Sequence, residues 1–492
     1  MLLQKGFDTV AAGRYNGIDM GCNRMKKNDL LEVDITDMGY TGEGIAKPDG
    51  FALFVKGGVA GDHAVVRVLK VNRRFGYAKI ERLLKPSLLR ETPRCPVFGK
   101  CGGCQLQHLA YPAQGNLKQT LVENNLYKIG GFVPGSYHMD RILSAEACYA
   151  YRNKAQFPVG EHNGSLAFGF YAPHSHVLVP LHDCAIQHPQ MVSAAQDTLA
   201  ALQAAQLPAY DERTHTGLIR QIFVRYGGGK HPLMVCIAAN TDKIIPCAAE
   251  IAAQLMARGD VAGVVQNCNP CRGNTLLGNH NIILAGEGML EMQACGLSFL
   301  VSPNSFFQVN TAQMERLYQQ AAAYAGLDGS QVVYDLYCGV GTISLYLARQ
   351  AKRVVGVEAV PEAVKDAKQN AMRNGIENAA FYCGDCPDVV RRLVKEGDKP
   401  DVVVVDPPRK GCSLELLDLI GGLAPEKLVY ISCNSATLAR DAAYLKKHGF
   451  SLVRCRAVDM FPQTGHVETV ALFSLPQNRM GRISAEGGTQ DG

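Results

Sequence analysis

Between residues 28 and 85 apolar and polar positions alternate with a period of two, in the short runs LLEVDITDMG, FALFVKGGV, GDHAVVRVLKV and GYAKIERLL. Gly- and Asp-rich turns separate them. A period of two marks half-buried strands, and several such strands in so short a stretch predict a small OB-like β-barrel over 25–86. Pro86 and Pro93 then mark a linker. Over 87–300 the signals mix: a helix at 114–128, strands in YRNKAQFPVG and LIRQIFVRYG, and an Ala-rich helix near 190–206. This predicts an α+β central domain. From about 331 the pattern becomes strand, helix, strand, as VVYDLY leads into ISLYLARQ and RVVGVE into PEAVKDAKQNAMRN. The second helix opens with Pro361 and closes at Gly375, the expected start and stop signals. VVVVD, LVYIS and VETVALFSL complete the series. Such alternation predicts an α/β, Rossmann-like doubly wound sheet over 301–478. The polar ends, 1–24 and 479–492, are expected to be a flexible and a disordered tail.

Composition narrows the class. Hydrophobic residues at 47% and charged residues at 19% fit a protein with sizeable cores. No run approaches the roughly 18 apolar residues of a membrane span. MLLQKGFDTV has no apolar segment of a secretory leader, so the cytoplasm is the expected compartment. Seventeen scattered cysteines in so long a chain argue against a secreted disulfide framework. The net charge of +5 is confined to the first ninety residues, which carry fifteen bases and ten acids. Arg67, Lys70, Arg73, Arg74 and Lys79, with Phe75 and Tyr77 among them, suit backbone contact and base stacking on a nucleic acid. A solvated basic face would look the same.

The chemistry concentrates where parallel strands end. DLYCGVGT, 335–342, places Gly339 and Gly341 directly after a strand, and Glu358 ends the next one, where a carboxylate can bind both ribose hydroxyls. There is no GxGxxG and no GxxxxGK[ST], so a nucleoside without a pyrophosphate fits better, and S-adenosylmethionine is the commonest. Asp385 follows the third strand, where an acid can bind an adenine amine. Asp406 opens DPPRKG, and Cys433 follows LVYIS. A parallel sheet would bring Asp335, Glu358, Asp385, Asp406 and Cys433 to one crevice. Arg409 stands where an aromatic would stack on a base during amino-group methylation, so carbon is the better acceptor. A pyrimidine C5 becomes nucleophilic only after a thiolate adds at C6. Cys433 fits that nucleophile, and Glu468 fits the base that then removes the C5 proton.

At these residues the chain resembles the RNA uridine-5-methyltransferase family, in particular its ribosomal 23S RNA (uracil-5-) branch, over about 25–475. FFQVN at 306–310, DLYCG, the acidic strand end at 358, DPPR at 406–409 and SCNSATLARD carry the resemblance; Ser435 replaces the usual proline. The resemblance implies a class I methyltransferase domain, S-adenosylmethionine as cofactor with Gln308, Tyr337, Glu358, Asp385 and Asp406 binding it, Cys433 as nucleophile and Glu468 as proton acceptor. It also implies that the N-terminal barrel is a TRAM RNA-binding module. Cys95, Cys101 and Cys104 have a spacing that suits zinc or an iron–sulfur cluster equally. With Cys184 they are similar to the family's four-cysteine [4Fe–4S] site, which the resemblance therefore implies for the central domain.

The expected activity is methylation of C5 of a uridine flipped out of RNA, with ribosomal RNA favoured over tRNA. No membrane and no obligate protein partner are expected, and the protein is expected to be a monomer. Two other readings are a non-catalytic RNA-binding or ribosome-assembly factor and a radical enzyme. The intact Cys433, Glu468, Gln308 and Asp406 set argues against the first, and CxxxxxCxxC in place of CxxxCxxC against the second.

Overall fold

A computed structural model describes residues 25–273 and 275–476. The tails expected at 1–24 and 479–492 lie outside the described residues. The chain divides into two compact units, one ending at Glu91 and the other beginning at Thr92.

The first unit holds a closed barrel. Its order is Leu30–Met38, Gly44–Ala46, Ala52–Lys56, Phe75–Lys85 and His63–Val71, with the third and fourth of these parallel. Alternation places Val33, Ile35, Leu53, Val55, Val66 and Ala78 in its interior. Closure leaves no free edge. Phe54, Phe75 and Tyr77 pack ring to ring outside it, with centroids 5.6–5.9 Å apart, and Tyr77 is exposed. Arg67, read from the sequence as a nucleic-acid contact, pairs with Glu81 through two 3.0 Å bonds. Lys70, Arg73, Arg74 and Lys79 stand exposed.

The second unit contains two large sheets. The first has seven strands in the order His280–Gly286, Val261–Cys268, Leu233–Ala239, Ile219–Tyr226, Lys154–His162, Ser165–Tyr171 and Leu178–Pro180. Helices Pro189–Ala204 and Ala248–Met256 cover one face through a shared apolar cluster. The other sheet has eight strands: Ala379–Cys383, Arg353–Glu358, Val332–Leu336, Val402–Val405, Lys427–Ser432, Glu468–Ser474, Ser451–Val458 and His138–Leu143. Its first five are parallel; Glu468–Ser474 runs antiparallel to both its neighbours. The run VVVV at 402–405 is wholly buried, as a central strand covered on both faces must be. Val333, Val404 and Val429 face one core and Tyr334, Val403 and Tyr430 the other. The first core also takes in Phe223, Met234, Cys236 and Val265, so apolar packing runs continuously between the two sheets.

Two features depart from a reading in sequence order. His138–Leu143, inside the stretch read as central domain, is the edge strand of the eight-stranded sheet, beside Ser451–Val458. Helix Tyr111–Lys128 packs with it against the sheet, next to Ser435–Lys447, and Asn125 Nδ2 donates to Ser435 Oγ at 2.8 Å. The boundary drawn at 300/301 also falls within the strand Leu297–Val301 of the hairpin that precedes helix Thr311–Ala325.

Candidate active site

The site is built at the carboxyl edge of the eight-stranded sheet. Strand Lys427–Ser432 delivers Cys433 to that edge, and helix Ser435–Lys447 begins immediately after it. Asn434 caps this helix by accepting from the Ala436 N–H at 3.0 Å. Ser432 Oγ accepts from the Asn434 N–H at 3.1 Å and donates to its carbonyl at 2.9 Å. The thiol thus sits on a turn locked on both sides. Ser435 occupies the first helical position, where the proline of the resembled family would stand.

Glu468 reaches the same edge from the opposite direction. Its strand is antiparallel to Lys427–Ser432, and Ser432 pairs with Thr469. Cys433 is the residue after Ser432 and Glu468 the one before Thr469, so both lie at this end of the strand pair. Glu468 is 4% exposed, and burial together with the nearby Asp406 charge raises its carboxyl to about 8. Burial, Glu468 and Asp406 raise the Cys433 thiol to about 11. The Arg409 guanidinium pulls in the other direction on both. The Glu468 and Asp406 charges therefore oppose ionisation of the thiol, and Arg409 is the nearby cation that favours the charged form of both Cys433 and Glu468.

Arg409 is held by the helix that follows Cys433. Its carbonyl accepts from Asn434 Nδ2 and Thr437 Oγ1, both at 3.3 Å. Buried Asp441 accepts from the Cys412 N–H at 2.9 Å and from Tyr430 Oη at 2.7 Å, and Arg440 donates to the Lys410 carbonyl at 2.9 Å. These bonds explain the polar residues of SCNSATLARD: the helix clamps the DPPRKG loop. Sequence reasoning used Arg409 only to exclude one chemistry, and its electrostatic role went unread.

The remaining strand ends form a second group beside the first. Tyr337 has φ +71°, and Gly339 and Gly341 have φ +55° and +83°. The chain turns sharply here, and a non-glycine residue in the left-handed region is a mark of constraint. Glu358 accepts from the Gly339 N–H at 3.1 Å and the Val360 N–H at 2.9 Å, one on each oxygen. A carboxylate has about four acceptor positions, so both oxygens keep capacity for further donors. Asp385 is exposed at the N-cap of helix Cys386–Lys395 and makes no capping bond there. Asp406 follows Val405, and burial raises it to about 6. Asp335 is fully buried and raised to about 7, first by burial; Ser344 donates to one of its oxygens while the other has no partner. Gln308 is buried, and Asn153, directly before strand Lys154–His162, fixes its segment by donating to its carbonyl at 2.9 Å and to the Val309 carbonyl at 2.8 Å.

The four cysteines singled out by spacing also converge. Cys95, Cys101, Cys104 and Cys184 line one cavity of about 190 Å³, together with Phe98, Gln107, Arg152 and Gln187. Burial raises Cys104 to about 12 and Cys184 to about 11, and neighbouring thiols of the set add to both. Among the described residues no three or more His, Cys, Asp or Glu side chains stand close enough to grip one metal ion. The cavity thus gathers the thiols without closing them to single-ion spacing.

Comparison with known proteins agrees with this architecture. A model of a methyltransferase domain matches residues 327–464, and a model of the TRAM domain matches residues 25–80. A Clostridium tetani protein named as an uncharacterized RNA methyltransferase is 40% identical over 451 residues, covering 92% of this chain and 97% of the relative. A Caldanaerobacter subterraneus protein of the same description is 41% identical over 451 residues, covering 92% and 99%. The crystal structure of Pyrococcus abyssi tRNA (uracil-54, C5)-methyltransferase with S-adenosyl-L-homocysteine superposes with a TM-score of 0.72 at 23% identity, covering 90% of this chain and 99% of that one. That likeness shows a shared fold. The chain belongs to the RNA methyltransferase family, with a TRAM domain ahead of a class I methyltransferase domain.

Proposed function

We propose that this protein methylates C5 of a uridine in RNA, using S-adenosylmethionine and a covalent adduct on Cys433, with 23S ribosomal RNA the favoured substrate. The observation that carries the reading is that Cys433 and buried Glu468 adjoin the last residue pair, Ser432 and Thr469, of two antiparallel strands, with Glu468 and Asp406 both near enough to raise the Cys433 thiol. A thiol and a carboxyl arranged so have little use in methylating nitrogen. Addition to a ring carbon followed by loss of a proton needs both.

The strand ends fit the cofactor. Glu358 keeps oxygen capacity for ribose hydroxyls, Asp385 carries a carboxylate free of a capping bond for an adenine amine, and Tyr337 forms the turn after the strand on the other side of Glu358. Gln308 and Asp406 would hold the methionine end. S-adenosylmethionine supplies a methyl group on a positively charged sulfur. The Cys433 thiolate would form a bond to C6 and push the C5=C6 pair into an enolate whose C5 takes the methyl carbon, while the methyl–sulfur bond breaks with its electrons staying on sulfur, leaving neutral S-adenosylhomocysteine. Glu468 then removes the C5 proton; the C–H electron pair restores C5=C6, and the C6–S bond breaks with its electrons returning to Cys433. Arg409 favours the thiolate at the start and the carboxylate at the end.

For the cysteine cavity we propose a [4Fe–4S] cluster held by Cys95, Cys101, Cys104 and Cys184. Thiols spread around a cavity suit a cluster's footprint better than a single zinc, whose four sulfurs must meet at about 2.3 Å from one point. The lining includes Arg152 and no carboxylate, which fits a group made anionic by four thiolates. In this reading 25–86 grips RNA, 87–300 carries the cluster and 301–478 performs the chemistry, in a cytoplasmic monomer.

RNA substituted with 5-fluorouridine tests the proposal. Fluorine cannot leave as a proton does, so the elimination stalls and a protein–RNA band should survive denaturing electrophoresis. Ribosomal RNA and tRNA are offered separately. A band with ribosomal RNA that disappears in Cys433→Ala is the expected result. A band with tRNA alone replaces the substrate, and no band with either overturns the covalent route.

A further inference from the structure

The segment Asp459–His466 leads into Glu468, and very few of its bonds are its own. Gln463 lies at its centre with φ +69° and is 2% exposed. Its carbonyl accepts from the backbone N–H groups of Gln105 at 3.0 Å and Leu106 at 2.9 Å. Its N–H donates to Gln114 Oε1 at 3.1 Å, and Gln114 Nε2 donates to its Oε1 at 3.0 Å. Gly465 N–H donates to Gln105 Oε1 at 3.3 Å, while Gln105 Nε2 donates to the Gly102 carbonyl at 2.9 Å. Tyr151 donates to the Pro462 carbonyl at 3.0 Å. Lys118, as buried as its partner Asp459, bonds to that carboxylate at 2.5 Å and to the Phe461 carbonyl at 3.0 Å.

The partners of Gln463 and Gly465 come from the residues directly after the cysteine loop and from the helix Tyr111–Lys128, while Leu143, Tyr151, Asn310 and Gln313 hold the segment's first residues. Gly102 lies between Cys101 and Cys104, and Gln105 adjoins Cys104. One side chain, Gln105, therefore bonds at one end to the backbone between two cavity cysteines and at the other to the backbone three residues before Glu468. A left-handed non-glycine residue such as Gln463 persists only where its surroundings over-determine it, and here those surroundings are Gln105, Leu106 and Gln114. If the cysteine loop shifts, the bonds that hold this turn shift with it.

We propose that Gln105 is a positioning residue that couples the cysteine loop to Glu468, so that the state of the four-cysteine cavity sets the alignment of the base for the elimination step. This rests on the reading of Glu468 as proton acceptor and extends it to a control that methyl transfer itself does not need. Cysteine-site disorder then acts on one step: methyl transfer proceeds, and the methylated adduct accumulates because the C5 proton is not removed.

The test uses the full-length, metal-replete protein in single turnover with unmodified RNA and S-adenosylmethionine, resolving covalent adduct from released product on denaturing gels. Gln105→Ala should keep the wild-type iron content and slow elimination by roughly 10²-fold, the cost of an ångström-scale misplacement of a catalytic group. Gln105→Glu keeps an oxygen facing Gly465 N–H but loses the donor to the Gly102 carbonyl, so it should recover only part of the rate. Wild-type protein stripped of metal by a chelator should show the same adduct build-up, with faster amide exchange across 459–468. Glu468→Gln is the control for the underlying reading. If it accumulates adduct while Gln105→Ala and stripped protein do not, the coupling is overturned. If Glu468→Gln gives no adduct, the base reading fails, and unchanged exchange across 459–468 on stripping then overturns the coupling on its own.

Discussion

Cys433 and the four cavity cysteines lie in one compact unit, and burial raises the thiols of Cys433, Cys101, Cys104 and Cys184. Their surroundings differ. Cys433 is a single thiol with two acids and one arginine acting on it, so its charge can be switched by a proton or by a substrate. The cavity thiols act on one another, and Arg152 lines their cavity with no carboxylate beside it. On the proposed reading, four thiolates gathered at one cavity would need a cation-rich group among them, whereas one thiolate beside an arginine would be tolerable for the moment of attack. Burial alone would not separate the two proposed roles; the neighbouring charges would.

The comparison breaks most visibly at Cys433. Cys433→Ala should reduce methylation to background while retaining S-adenosylmethionine binding by calorimetry; measurable turnover would remove the covalent route. Glu468→Gln should come next, with the elimination step slowed by about 10²–10⁴-fold, the range for a general base, and a methylated adduct visible on denaturing gels. Arg409→Gln sharpens the electrostatic side. Glu468 must be ionised to act, so elimination should rise with pH up to about 8 and level above it. The cation favours the ionised acid, so its loss should move that rise to higher pH. The deficit should be largest near neutral pH and shrink in alkali; a pH-independent deficit would mean that Arg409 acts through contacts other than charge. For the cavity, Cys184→Ala should lower bound iron in the purified protein, and unchanged iron content would exclude it as a ligand.

Much of this was legible in the chain, because the chemistry sits at strand ends and strands are the strongest pattern it carries. VVVV, LVYI and VVGV are apolar runs, and each is followed at once by a polar residue, Asp406, Ser432 and Glu358, that the sheet brings to its carboxyl edge. Three closely spaced cysteines marked the cavity for the same local reason. What resisted reading was pairing at a distance. HMDRIL lacks clean alternation, and nothing local tells that His138–Leu143 borders Ser451–Val458. Gln105 and Gly465 are 360 residues apart, and two polar residues in loops announce no partner. Arg67 looked like a free cation because its partner Glu81 comes from the neighbouring strand and shows only in register.

The smallest expected effect concerns the one departure from the resembled family's nucleophile loop, Ser435. As the first helical residue it occupies a position where proline fits without the loss of an intrahelical bond. Ser435→Pro removes the hydroxyl that accepts from Asn125 Nδ2, a neutral hydrogen bond worth about 0.5–1.5 kcal/mol. Against this, proline restricts the unfolded chain and returns about 0.4–1 kcal/mol where its φ is already suitable. The two nearly offset, so urea unfolding should change by less than about 1 kcal/mol. Cys433 should also keep its reactivity, because its turn is held by Ser432 Oγ and by the Asn434 cap, and neither bond uses the Ser435 side chain. A large loss of alkylation rate at Cys433 in Ser435→Pro would show that the Asn125 contact orders the thiol, and would bring helix Tyr111–Lys128 into the nucleophile's support.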